Sequence, residues 1–115
     1  MRNSVVLLLL VMCLTVVSGS AGSEDFQSQV DFARKAIQDG FLDLAESKLN
    51  MVIGTEAPRR IQAEAHLLLG RVFYEKSLSQ RALQEFDFVV AQFGDTDLVD
   101  MSAYWVAEVY FKEGS

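Results

Sequence analysis

From about Asp25 onward the apolar residues recur at three- and four-residue spacing, and no run alternates apolar with polar as a half-buried strand would. The pattern predicts helix throughout. A first helix runs from about Asp25 to Gln38 and turns at Asp39-Gly40. A second runs from about Leu42 to Ile53 and stops at Gly54, a residue suited to a left-handed helix end. The one proline, Pro58, fits the first turn of a third helix reaching about Lys76. Ser79 can cap a fourth that ends near Phe93, with Gly94 as its stop. Thr96 or Asp97 then caps a fifth that continues to about Glu113.

The pattern also repeats. Phe32, Ala33, Ala36, Ala45, Leu49 and Val52 return 37 positions later as Leu69, Gly70, Phe73, Ala82, Phe86 and Val89. The first three return again as Val106, Ala107 and Tyr110. A period between about 20 and 50 residues is the signature of a solenoid, whose units bury their apolar faces against one another. The expected fold is an all-α solenoid of helix–turn–helix units, about two and a half in number. Repeat 1 covers about 26–57, repeat 2 about 58–95, and a half repeat 97–115. The small residues Ala33, Gly70, Ala107, Ala45 and Ala82 mark close helix contacts, where a bulky side chain would force the helices apart.

The first 21 residues break this pattern. Val5 to Val17 is a 13-residue stretch, apolar except for Thr15, behind a head carrying Arg2 and ahead of the small-residue run Ser18 to Ser23. About 20 apolar residues are needed to cross a bilayer, so a stretch of this length fits a secretory signal peptide. Cleavage is expected after Ala21, giving an exported, periplasmic chain of residues 22–115 with no stable membrane insertion. The alternative is anchorage by the uncleaved segment. The single cysteine, Cys13, follows the bulky Met12 and precedes more apolar chain, which argues against lipidation; the mature chain then has no thiol or disulfide chemistry.

Charge narrows the partners. The chain carries a formal charge of −6; losing Arg2 leaves nine Lys/Arg against 16 Asp/Glu, near −7. With no basic cluster, nucleic acid is not an expected partner, nor is an anionic membrane surface.

Leu69-Gly70, Phe73, Ala82 and Phe86 match in order and spacing the Leu-Gly, Tyr, Ala and Phe positions of the tetratricopeptide repeats, and the chain resembles that family over about residues 26–115. Ala33, Ala45 and Leu49 carry the likeness in the first unit, Val106-Ala107 and Tyr110 in the third. Gln29, His66 and Ala103 stand where the family has a tryptophan, Gly94 stands near its proline, and the period is 37 rather than 34. The longer linkers and the run Ala103 to Phe111 look like the family's envelope branch. That branch includes the periplasmic partner of the Tol–Pal system and the tetratricopeptide lipoprotein of the barrel assembly machine. The resemblance implies a right-handed solenoid that binds a protein or peptide partner. Its groove would be lined by the first helix of each unit: Val30, Arg34 and Ile37; Leu67, Arg71, Tyr74 and Glu75; Tyr104, Glu108, Phe111 and Lys112. Arg and Tyr are frequent binding anchors. The mixed charge of these positions argues against the family's chaperone-binding version, which grips a C-terminal carboxylate.

Candidate chemistry is sparse. His66 is the only histidine and occupies the family's buried tryptophan position, so a packed core residue is expected rather than a metal ligand. Asp95, Asp97 and Asp100 lack the glycine and distal glutamate of a calcium loop and suit the start of a helix. No phosphate-binding glycine loop and no nucleophile–base set is present, so no enzyme activity, cofactor or metal is expected. The last helix is apolar on nearly all sides, from Met101 through Trp105 to Phe111, and a terminal solenoid helix should offer a polar outer face. The sequence therefore reads as a truncated solenoid, or as one whose last helix something covers, with self-association through that helix one way to do so. Two functions compete: an exported scaffold or adaptor in the cell envelope, or the non-catalytic N-terminal part of a larger envelope enzyme or secretion component.

Overall fold

The computed structural model describes residues 23–114, and within them the chain is all helix and turn. Five helices follow in order: α1 (Ser23–Gln38), α2 (Leu42–Ile53), α3 (Arg59–Glu75), α4 (Ser79–Gln92) and α5 (Val99–Lys112). The apolar segment Val5 to Val17 and the expected cleavage point at Ala21 lie outside the described residues. Among the described helices none is long and apolar enough to cross a membrane.

The helix bodies sit where the apolar spacing predicts them, but their ends are made differently. Gly54 keeps a right-handed conformation (φ −76°), so it is not a left-handed stop. Pro58 precedes α3 as its N-cap instead of entering the first turn. Ser79 is the first residue of α4, not its cap, and its hydroxyl turns to Glu113. Helix α5 starts at Val99, later than expected. Thr96 instead donates to the Phe93 carbonyl at 2.6 Å, and Asp97 receives Arg60.

The true left-handed positions are Gly40 (φ +84°), Ser77 (φ +61°) and Gly114 (φ +80°). They are 37 residues apart, so the same turn recurs at the same place in the repeat. Its hydrogen bonds recur too. The N–H of Phe41 donates to Ala36 O and that of Leu78 to Phe73 O, both at 2.8 Å. Gly40, Ser77 and Gly114 each donate three residues back at 3.0–3.1 Å. This is the helix end in which a left-handed residue lets the following amides reach the last free carbonyls. Serine bears a conformation that glycine adopts without cost.

The helices form two rows. Helix α1 packs on α2, α3 on α2 and α4, and α4 on α5, while α1 meets α3 and α3 meets α5 directly; the backbones of α2 and α4 stay apart, bridged by Arg81 reaching Glu46 at 4.0 Å. One row is therefore α1, α3 and α5, and the other α2 and α4. The core runs between the rows. Ala45, Leu49 and Val52 of α2 and their counterparts Ala82, Phe86 and Val89 of α4 are all fully buried. A Cβ added to Gly70 would lie 2.7 Å from Phe86 Cδ1 and 2.9 Å from its Cζ, so the ring rests directly on the glycine backbone. In the first unit the matching positions hold Ala33 and Leu49, a larger residue facing a smaller one. Ala107, expected at a close contact, is instead exposed, because none of the described helices lies on that side of α5.

Side chains stitch the unit boundaries. Gln62 Nε2 donates to Thr55 O (2.9 Å) and Val52 O (3.2 Å), satisfying carbonyls at the end of α2. Arg59 grips Asp95 in a forked pair and reaches Gln92 O, and Arg60 pairs with Asp97 at 3.0 Å. These partners hold the Asp95 and Asp97 carboxyls below the usual carboxylate range. Of the acidic cluster read as a helix start, only Asp100 sits in the first turn of α5. Lys76 bonds Asp43 and Glu46 at 2.5 and 2.8 Å, tying the end of α3 to α2.

Candidate binding groove

The row α1–α3–α5 leaves one face uncovered by α2 and α4. The 37-residue register explains what lies on it, because corresponding positions of the three helices line up. One such set is Gln27, Glu64 and Met101; another is Asp31, Leu68 and Trp105; a third is Arg34, Arg71 and Glu108. A recess of about 250 Å³ opens here, bounded by Arg34 of α1, by Glu64, Leu67, Leu68 and Arg71 of α3, and by Leu98, Met101 and Trp105.

Glu64 is buried in this face and is a carboxylate, so it needs partners. Arg34 supplies one through Nη2 and is itself held at 2.7 Å by Asp31; Arg60 adds a longer contact at 3.4 Å. Arg71 is built differently. Its guanidinium lies 4.9 Å over the Trp105 ring, in a cation–π arrangement, and its Nε is buried with no hydrogen-bond partner among the described residues. Trp105 in turn meets Tyr74 edge-on (5.2 Å), Tyr104 edge-on (5.6 Å) and Phe86 in a stack (6.0 Å). Lys112 Nζ sits 4.4 Å over the Tyr74 ring and donates to its carbonyl at 2.9 Å. Burial, with the charges of Glu108 and Glu75, pushes the Tyr74 phenol above its ordinary value, so it is a neutral donor at physiological pH. A continuous strip, Arg71–Trp105–Tyr74–Lys112, thus crosses from α3 to α5.

The residues expected to line a groove are distributed unevenly. Arg34, Leu67 and Arg71 border the recess. Tyr104 is exposed and borders a shallower depression with Asp100 and Met101. Glu75, Phe111 and Lys112 are exposed, Phe111 by 82%, and Glu108 and Tyr74 are half-buried. Val30 and Ile37 belong to the core and offer no side chain to the face. Glu64, Leu68, Leu98, Met101 and Trp105 were not expected there. The repeat register links Glu64 with Met101 and Leu68 with Trp105 but ties none of the four to an expected groove position, so it gave no signal for them.

His66 packs as a core histidine would on one side only. Its ring lies 4.5 Å from that of Phe88 and 6.0 Å from that of Phe93, while Nδ1 meets Glu85 at 2.7 Å. Among the described residues no group of three metal-ligating side chains comes together.

Compared with known proteins, the chain matches no family model, no curated protein and no solved structure, so the tetratricopeptide likeness rests on the residues and register above.

Proposed function

We propose that this chain is a helical-repeat module of tetratricopeptide type that is exported to the cell envelope and binds a protein or peptide partner as scaffold or adaptor. Repetition of the left-handed turn at 37-residue spacing and the two-row packing support a solenoid. The observation that carries the binding role is the uncovered face of α1, α3 and α5, where Arg71, Tyr74, Tyr104 and Trp105 form a cationic and aromatic strip in a protein that is acidic overall. Large amphipathic side chains of this kind dominate the energetics of protein interfaces. The role needs no catalysis, cofactor or metal, and the short apolar N-terminal stretch ahead of small residues supports export with cleavage near Ala21.

The uncovered side of α5 supports self-association as well. Tyr110 and Phe111 stand exposed there, and a contiguous apolar patch of this kind usually marks an interface. The same face favours a second reading, in which the module is the non-catalytic front of a larger envelope enzyme or secretion component. The register gives this face a covering helix in both earlier units.

Site-specific photocross-linking in the intact envelope tests the proposal. A cross-linker at Tyr104 is expected to capture a discrete partner, one at Phe111 a second copy, and one at Met51, exposed on α2, neither. Equal labelling from Tyr104 and Met51 would remove the case for the groove.

A further inference from the structure

We propose that Arg71 anchors an acidic side chain of the bound partner, an aspartate or glutamate with an apolar neighbour, and that the neighbour occupies the recess beside Trp105. This rests on the groove reading above and specifies its ligand.

The molecule contains its own template. Arg34 of α1 and Arg71 of α3 hold the same place in successive repeats, as do Glu64 of α3 and Met101 of α5. Arg34 reaches across to the neighbouring helix and pairs with Glu64. Carried forward by one repeat, the same reach brings Arg71 towards Met101, where there is no carboxylate. No carboxylate, Glu108 included, comes within 4.0 Å of an Arg71 nitrogen among the described residues, and Nε remains buried and unpartnered. Glu64 is already matched by Arg34 and Arg60 and does not serve Arg71. Trp105 holds the guanidinium flat, which preserves its planar fork for a carboxylate.

The surroundings complete the ligand. Leu67, Leu68, Leu98 and Met101 line the rest of the recess, giving an aliphatic side chain room next to the charge. One arginine supplies a fork for one carboxylate, and the other two arginines nearby are committed to Glu64. The template is a side-chain carboxylate presented from a helix, so the partner's acid is placed within its chain rather than at its terminus.

Trp105 is the only tryptophan, so its emission reports on this site directly. The mature chain is titrated with three peptides of equal length: one acetylated and amidated with Glu beside Leu, the same with Gln for Glu, and the Gln peptide with a free C-terminal carboxylate. The Glu peptide is expected to shift Trp105 emission at a concentration about tenfold lower than the amidated Gln peptide, the ratio that loss of one charge-assisted pair produces. Arg71→Gln should abolish the preference. Met101→Glu should abolish it too, by supplying the carboxylate from within as Glu64 does for Arg34, and it serves if Arg71→Gln fails to fold. Equal binding of the amidated Glu and Gln peptides overturns the proposal while leaving the groove intact. Preference for the free C-terminus, an unchanged preference in both variants, or no emission change with any peptide overturns it as well. In that last case the Tyr104 cross-link decides separately whether the groove is used at all.

Discussion

Helices α3 and α5 have the same place in the repeat and very different surroundings. Phe73 of α3 and Tyr110 of α5 are equivalent positions, yet Phe73 is 3% exposed and Tyr110 51%. Gly70 lies under the Phe86 ring, while Ala107 faces outward. The difference comes from the neighbours. Helix α3 is enclosed by α1, α2, α4 and α5; among the described helices α5 has only α4 and α3. In this architecture an apolar side chain does not own its burial; the next helix confers it. The first unit shows the same effect at the other end, where Phe32 is exposed and its counterpart Leu69 is buried.

The largest test of that contrast is a matched pair of truncations. Phe73→Ala should cost about 3–5 kcal/mol in urea unfolding, as deletion of a buried aromatic does. Tyr110→Ala should stay within about 0.5 kcal/mol, as exposed substitutions do. Equal costs would mean that α5 is covered in solution as α3 is, and would turn the comparison into evidence for an interface.

A smaller effect sharpens the register itself. Gly70→Ala drives a methyl into the Phe86 ring and should cost about 1–3 kcal/mol by overpacking. Combining it with Phe86→Leu reproduces the Ala33 and Leu49 pair of the first unit and should recover much of the loss, a coupling that a double-mutant cycle measures. Simple additivity would place the two residues out of contact and break the equivalence of the units.

The smallest expected effect concerns the seams between units. The carboxyls of Asp43, Asp95 and Asp97 are held below the ordinary aspartate range by hydrogen bonds from Lys76, Arg59 and Arg60 respectively. Their contribution is present in full above the unfolded value, near pH 4. It is lost as pH falls through the depressed folded values, when the protonated acids release their partners. All three pairs are on the surface, so the melting temperature should fall only slightly on acidification, and less so at high salt. Asp95→Asn should flatten part of that acid limb; an unaltered limb would assign it to other carboxylates.

Much of the fold was legible in the chain because apolar periodicity reports which helix face is inward. Helix α2 runs from Leu42 to Ile53 as expected, and the others shift by a few residues at their ends. The ends were less legible because a glycine permits a left-handed turn without requiring one. Gly54 and Gly94 do not use that freedom, while Ser77 adopts the conformation despite its side chain. Only the match of Gly40, Ser77 and Gly114 in the repeat marks the real turn. The candidate groove was less legible. The family resemblance, not the residue pattern, puts Arg71 on it. Its support Trp105 was read as one more apolar residue of the last helix, and the carboxylate Glu64 was not singled out at all. Ile37 points the other way: it was read by analogy as groove-lining and is in fact core.

The one-sided packing of α5 also has a kinetic consequence. Segments with few enclosing neighbours open locally at a fraction of the global unfolding free energy, so α5 amides should exchange with solvent well before those of α3. Trp105, on whose ring the Arg71 guanidinium of α3 rests, travels on that same helix. On the proposed recognition, a ligand whose carboxylate meets Arg71 and whose apolar neighbour lies beside Trp105 favours the docked α5, and it shifts the opening equilibrium by a factor of one plus the ratio of free ligand concentration to Kd. The proposed recognition and the ordering of the last helix would then be one thermodynamic event, and affinity at the candidate groove would rise or fall with anything that steadies or loosens α5 from its outer side.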